Sequence, residues 1–264
     1  MDLQLKSKRA LVTGSTGGIG LAIARAMVRE GAQVILNGRT GERVLNAAEA
    51  IRAEFPDAAM NSFVGDLSLA DRADALAAEF AHVDILVNNL GVYGHKAFEE
   101  ITDADWHSII ETNFMSGLRL SRHYLPRMMK SGWGRIIFIA SESAANIPAE
   151  MIHYGVTKTM QVSLARGLAE TTRGTAVTVN SILAGPTRSE GVAEFVKDMA
   201  RTREVAASVV EKEFFQTLRR SSLLQRFATV DEIASMVAYV ASPLSSATNG
   251  AALRVEGGLL QTIF

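Results

Sequence analysis

Tyr154 and Lys158 stand four residues apart in the stretch from Met151 to Leu164, which has the pattern of a helix. At that spacing both side chains leave the same helix face, one turn apart. A phenol titrates near pH 10 and is a poor proton donor or acceptor at neutral pH. A neighbouring ammonium favours the phenolate and lowers that value. The pair is therefore expected to form a tuned acid–base couple, with Lys158 pulling the Tyr154 pKa down. A surface helix carrying an unrelated Tyr and Lys would show the same spacing, so the residues upstream decide its meaning.

Upstream, Arg9-Ala-Leu-Val-Thr13 reads as a buried strand and runs into Gly14-Ser15-Thr16-Gly17-Gly18-Ile19-Gly20, with helical periodicity over 21–29. A strand, a glycine turn and a helix N-terminus together make an anion site. Glycines let the backbone approach closely, and free amides plus the helix dipole favour a pyrophosphate. A tight turn without a ligand is the plainer reading, but three spaced glycines exceed what a turn needs. The second strand, 32–37, exits as Asn37-Gly38-Arg39-Thr40. An acid there would bond the ribose hydroxyl of NAD, whereas an Arg accommodates the 2′-phosphate of NADP. With no acid and one Arg, the exit favours NADP(H) and leaves NAD(H) open. Arg39 as a solvated loop residue is the alternative.

The elements that must position these groups alternate along the chain. Further strands are expected at 60–64, 83–87, 134–140, 176–183 and 251–255, and helices at 41–54, 69–80, 103–129 and 152–172. That alternation predicts an α/β protein, a single doubly wound Rossmann-type domain over 1–264 whose parallel sheet is covered on both faces. Ligands in such sheets bind beyond the carboxyl ends of the strands. Asp66 with Leu67, and Asn88-Asn89-Leu90-Gly91, fall at those ends, as do Ser141, thirteen residues before Tyr154, and the turn at Gly185 and Thr187. A hydroxyl at Ser141 could hold a substrate oxygen beside the phenol, with Ser143 as a competitor. Asn113 lies mid-helix, where it either kinks the helix and holds a water or simply faces solvent. Residues 188–226 break the rhythm with two amphipathic stretches, 190–201 and 204–220, and no strand, as suits a lid, a substrate-pocket wall or an oligomer contact. Thr229 and Glu232 have capping-box spacing. The apolar tail, 259–264, is expected to pack on a neighbouring subunit, although packing on its own domain would leave the same trace.

Composition narrows the partners. Apolar residues make up 48% of the 264, enough for a sizeable core, and the net charge of −1 without like-charge blocks argues against nucleic acid or an anionic membrane. The absence of cysteine removes disulfides, thiolate nucleophiles and cysteine-ligated metal, and no cluster has metal-ligand spacing. With no signal-peptide pattern and no apolar run of transmembrane length, a cytoplasmic protein is expected.

Taken together, the chain resembles the short-chain dehydrogenase/reductase family in its single-domain form across essentially its whole length. Thr13-Gly14-Ser15-Thr16-Gly17-Gly18-Ile19-Gly20 matches the family's TGxxxGIG, Asp66 its adenine-contacting acid, and Asn88-Asn89-Leu90-Gly91 its NNAG. Asn113, Ser141, Tyr154 and Lys158 fall where its catalytic tetrad falls. Asn180 and Gly185 match the stretch after the sixth strand, with Ser189 near the usual Thr. Leu90 replaces the family's Ala, and Ala184 its Pro before Gly185, which would loosen that turn. The resemblance implies a seven-stranded sheet, a homotetramer or homodimer built through two long helices, and a small carbonyl or alcohol substrate. It implies that Tyr154 exchanges the proton, Lys158 also holds the nicotinamide ribose, Ser141 fixes the substrate oxygen and Asn113 holds a relay water. The narrower alternative is a 3-oxoacyl-carrier-protein reductase, which would want a basic docking patch such as Arg127, Lys130 and Arg173. A dinucleotide-binding sensor without catalysis would need the glycine turn but not Tyr154 with Ser141.

Overall fold

The computed structural model describes residues 1–263. In chain order it runs β1 (Arg9–Val12), α1 (Gly18–Arg29), β2 (Gln33–Gly38), α2 (Gly41–Glu54), β3 (Met60–Val64), α3 (Ala70–Glu79), β4 (Ile85–Asn88), α4 (Asp103–Ile110) and α5 (Ser116–Ser131). It continues with β5 (Gly134–Ser141), α6 (Ile152–Thr171), β6 (Val177–Ala184), β7 (Thr187–Arg188), α7 (Glu190–Thr202), α8 (Ala207–Thr217), β8 (Ala228–Thr229), α9 (Val230–Ala241) and β9 (Ala252–Val255). Seven strands form one parallel sheet in the order β3-β2-β1-β4-β5-β6-β9. Every residue of β5 and β6 is buried, as strands covered on both faces require. Ile23, Met27, Ile51 and Val237 from α1, α2 and α9 fill the core on one face, whereas Leu76, Tyr124, Met128 and Ala165 from α3, α5 and α6 fill the other. The strand order reverses between β1 and β4, which opens a crevice at their carboxyl ends.

Three local features depart from the expected elements. The helix expected over 103–129 is interrupted: Glu111–Met115 form a π-helical turn between α4 and α5, with Asn113 inside it and buried. Thr102 starts α4 through a capping box with Asp105, and Thr229 starts α9 through one with Glu232. The second amphipathic stretch begins at 207 rather than 204, because Glu204 takes a left-handed φ of 52° that no helix continues through. A parallel pairing, Thr187 with Ala228 and Arg188 with Thr229, closes the base of that excursion; two-residue strands carry no periodicity to read.

The α7–α8 segment has its own apolar cluster of Val196, Ala200, Val210, Phe215 and Phe227. In the tail, Leu259 and Leu260 are buried within this chain, Leu260 against Ala140 and Leu183, so this part packs on its own domain. Ile263 is exposed, and Phe264 lies outside the described residues. Among the described residues no helix is long and apolar enough to cross a membrane.

Candidate active site

A cavity of about 670 Å³ runs from the glycine turn, past the ends of β4, β5 and β6, to α7 and α8. Gly14, Gly17, Ile19 and Gly20 line one end, Ser141, Tyr154 and Lys158 its middle, and Phe195, Phe214 and Arg219 the far wall.

The glycine turn is pinned from two sides. Gly14 takes a φ of +60° and Gly18 of +53°, a region that favours glycine. A Cβ on Gly20 would collide with the Gly14 carbonyl and the Asn89 amide, which is why α1 can lie so close to β1. Helix α1 opens at Gly18 with no side-chain cap, which leaves its first N–H groups to an anion. Asn37 holds the turn from beneath: its Oδ1 accepts from Gly14 N at 3.1 Å, and its Nδ2 donates to Phe63 O and Gly65 O at 3.2 and 3.1 Å. Ser15 is buried, and its Oγ accepts from Asn37 N at 2.9 Å, so it braces the turn rather than lining the cavity. Thr16 packs its methyl toward Gly38.

The loop after β4 divides its labour differently from the simple motif. Asn88 is buried, and its Nδ2 donates to Ser121 Oγ at 3.2 Å, so that side chain faces α5 and not the cavity. Asn89 faces the glycine turn instead, donating to Thr13 O and Gly14 O at 2.9 and 3.1 Å. Leu90 and Gly91 line the cavity. Leu67 is buried in the core between β3 and α3, which leaves only its backbone for a ligand. Asp66 accepts from Ser68 N and Oγ at 3.0 and 2.7 Å. Arg39 is exposed at the β2 exit and makes no ion pair among the described residues. Arg43, one turn into α2, brings Nη2 within 3.9 Å of the position a Gly17 Cβ would take, a second cation at this end that its place in a polar helix concealed.

At the turn after β6, Gly185 N donates to Val255 O at 3.0 Å and Thr187 Oγ1 to Gly185 O at 2.8 Å. A Cβ on Gly185 would run into the Glu256 backbone, so close packing holds the turn that Ala184 was expected to loosen.

Tyr154 and Lys158 share a face of α6, as their spacing requires, and the Lys158 ammonium lies 5.6 Å from the phenol ring centroid. The expected electrostatics are corrected here. Burial is the main influence on Tyr154 and drives its pKa up, opposed by a hydrogen bond with Ser141 and reinforced by the Glu142 carboxylate and Tyr93. Lys158 does not offset this. Its Nζ donates instead to Ile139 O at 2.8 Å and Gln161 Oε1 at 3.2 Å, and burial lowers its own pKa to about 8. At neutral pH the phenol is thus protonated, poised as a donor.

Asn113 is fully engaged. Its Oδ1 accepts from Val92 N at 2.8 Å, and its Nδ2 donates to Val92 O and Thr157 Oγ1 at 2.9 and 3.0 Å. It therefore clamps the loop after β4 onto α6 rather than facing solvent. Its backbone carbonyl accepts from Gln161 Nε2, so an amide stands between Lys158 and Asn113. Ser141, at the end of β5, donates its hydroxyl proton to Glu142 Oε2. Gln161 and Arg219 are candidate site residues that spacing alone missed, because each meets this site across many residues of chain. Arg127, Lys130 and Arg173 lie at the far ends of α5 and α6, where those helices lead into the starts of β5 and β6. That is the edge of the sheet opposite the cavity, so they make no docking patch beside it.

The family model for short chain dehydrogenase matches residues 8–200. The chain is 44% identical to YvrD of Bacillus subtilis (strain 168), an uncharacterized oxidoreductase, over the full length of both. It is 32% identical to the D-beta-hydroxybutyrate dehydrogenase of Rhizobium meliloti (strain 1021), covering 96% of this chain and 98% of that one. Among solved structures, L-sorbose reductase from Gluconobacter frateurii, complexed with NADPH and L-sorbose, is similar over 100% of both chains, with a TM-score of 0.91 and 28% identity. From the glycine turn through Tyr154 and Lys158 to the seven-stranded sheet, the chain belongs to the short-chain dehydrogenase/reductase family of oxidoreductases.

Proposed function

We propose that the protein is an NADP(H)-preferring oxidoreductase that moves a hydride reversibly between the nicotinamide and a ketone or secondary alcohol. The observation that carries this reading is that the glycine turn and the Ser141–Tyr154–Lys158 group open onto one cavity. A dinucleotide fits the residues present: Gly14, Gly17 and Gly20 line this end of the cavity, and α1 offers uncapped amides to its pyrophosphate. Arg39 and Arg43 would hold a 2′-phosphate, with Glu190 Oε2 beside them at 3.0 Å from the position a Gly17 Cβ would take. When bound, the dinucleotide supplies or takes up the hydride. Tyr154 donates its proton to the forming alkoxide or accepts one from the alcohol, Lys158 holds the nicotinamide ribose, and Ser141 and Asn113 keep the phenol and the loop after β4 in place.

The α7–α8 segment acts as the wall and lid of the substrate end, a reading supported by Phe195, Phe214 and Arg219 on that side of the cavity. An apolar groove of Phe114, Ile147, Val156, Met160 and Leu164 beside α6 supports assembly into a homodimer or homotetramer through the long helices. The test is to follow nicotinamide absorbance with NADPH and NADH separately against L-sorbose, acetoin, acetoacetate and an acetoacetyl thioester. Reduction of at least one, faster with NADPH, is expected. Dinucleotide binding with no turnover on any of them would favour a sensor, and equal use of NADH would remove the NADP(H) preference.

A further inference from the structure

The substrate end of the cavity is walled mainly by hydrocarbon, with Val92, Tyr93, Met151, Val192, Phe195 and Phe214 on its surface. Besides Lys158 in the middle, the charged side chains on the cavity are Glu142, Arg203, Glu213 and Arg219. Arg203 and Glu213 sit on the exposed rim and bond each other at 2.7 Å, so neither is left to a ligand. Glu142 and Arg219 lie deeper. A charge is costly to bury unless it is paired and hydrogen-bonded, so the partners of both decide what the pocket still wants.

Glu142 is 5% exposed. Its Oε2 is fully used, accepting from Ser141 Oγ and from Ser143 N and Oγ at 2.9 and 3.3 Å. Its Oε1 accepts no hydrogen bond from any described residue and has only the ion-pair partner Arg219 Nε, at 3.5 Å. Arg219 is left equally incomplete. Its Nη1 donates to Leu218 O at 3.0 Å and stands 3.7 Å from Glu150 Oε1, and its guanidinium carbon lies 5.8 Å from the Phe214 ring centroid. Its Nη2 donates to no described residue. The pair is thus wider than a hydrogen bond, with an open acceptor beside unspent donors on an apolar wall.

That combination discriminates among small polar groups. A hydroxyl donates one hydrogen bond and accepts others, so it satisfies Glu142 and Arg219 together. A carboxylate only accepts, and it would join Glu142 and Glu150 as a third negative charge around one guanidinium. An ammonium only donates, and it would face Arg219. Plain hydrocarbon leaves both groups unpaired once it displaces their water. The place of the hydroxyl follows from the chain. Glu142 directly succeeds Ser141 and shares a hydrogen bond with it, so its open oxygen lies one atom pair beyond the one that Ser141 touches.

We propose that Glu142 and Arg219 select a neutral hydroxyketone whose hydroxyl stands one or two carbons from the carbonyl. This rests on the oxidoreductase reading above. The carbonyl oxygen lies with Ser141 and Tyr154, the hydroxyl donates to Glu142 Oε1 and accepts from Arg219, and the remaining hydrocarbon packs on Val92, Phe195 and Phe214. Glu142 and Arg219 set specificity and touch no reacting atom.

Three four-carbon ketones isolate the hydroxyl: acetoin carries it beside the carbonyl, butanone lacks it, and acetoacetate has a carboxylate in its stead. With NADPH, kcat/KM for acetoin should exceed that for each of the others by about tenfold or more, the discrimination that a hydrogen bond to a charged group supplies. Glu142→Leu should bring the acetoin-to-butanone ratio to within about threefold of unity. Arg219→Met should lower the same ratio while leaving the bonds of Glu142 to Ser141 and Ser143 in place, with NADPH affinity, read by fluorescence, near that of wild type. Both ketones are read on one preparation, so the ratio is blind to any fraction that does not fold; if Glu142→Leu fails to fold, wild type and Arg219→Met still decide. A wild type that reduces butanone as efficiently as acetoin, or variants that keep its ratio, overturn the hydroxyl selection alone. Acetoacetate outrunning acetoin does the same, by making Arg219 a carboxylate anchor. Absence of turnover on all three overturns the oxidoreductase reading and the selection with it.

Discussion

Replacing Lys158 with Met should change the stability of the dinucleotide-free protein in a way that reverses with pH. Lys158 is 4% exposed, and its pKa falls from 10.5 to about 8 because the ammonium is buried without a carboxylate beside it. Each tenfold shift corresponds to about 1.4 kcal/mol, so a charged Lys158 costs the fold roughly 3 kcal/mol at pH 7. Methionine fills a similar volume and removes that cost. It also strands the acceptors of two hydrogen bonds, Ile139 O and Gln161 Oε1, at about 1 kcal/mol each. The net expectation at pH 7 is a variant more stable by about 1 kcal/mol.

The sign then turns. Lys158 is protonated in both states below pH 8, and between about 8 and 10.5 it is neutral when folded but still charged when unfolded. The penalty therefore fades as pH rises, leaving only about 1 kcal/mol at pH 10, where the lost hydrogen bonds make the variant the less stable protein. Urea unfolding followed by circular dichroism at pH 7 and pH 10 measures both differences. A stability difference that stays within roughly 0.5 kcal/mol across that interval would refute the buried-charge account. The gain at neutral pH would come with loss of turnover, the trade expected of a charge held for function.

Other consequences concern the dinucleotide end. Gly20→Ala drives a methyl into the Gly14 carbonyl and the Asn89 amide; it should cost about 1–3 kcal/mol in a thermal or urea titration and weaken NADPH binding, and a variant as stable as wild type would contradict the close-packed turn. Arg39→Ala should weaken NADPH about tenfold while leaving NADH nearly unchanged, with Arg43→Ala acting in the same direction, as fluorescence titration of the two nucleotides can read; equal losses for both nucleotides would remove these arginines from the 2′-phosphate.

The sequence made the sheet, its order of elements and the glycine turn legible because each leaves a local trace: buried β-branched runs, glycines at turns, and Pro or Gly at helix ends. The capping box at Thr229 was readable for the same reason. What escaped depends on contacts between distant segments. Asn37 looks like a substitute for an acid at a strand end, yet its function in the fold is to tie the glycine turn at Gly14 to the end of β3 at Phe63 and Gly65. The π-helical turn at Asn113 has no signature beyond one mediocre helix former, and its cause lies in Val92 and Thr157. The Tyr154–Lys158 spacing was right about the shared face and wrong about the electrostatics, because burial outweighs a charge that is held by Ile139 and Gln161. Arg219 meets Glu142 across 77 residues, a separation at which no pattern in the chain links the two.

The central claim is that Tyr154 exchanges the proton of a hydride transfer. Single-turnover oxidation of bound NADPH by the fastest carbonyl, compared between wild type and Tyr154→Phe at equal nucleotide affinity, tests it most directly. The account predicts a loss of about two or more decades in rate with the nucleotide dissociation constant within twofold of wild type. A Tyr154→Phe enzyme that turns over at the wild-type rate would contradict it.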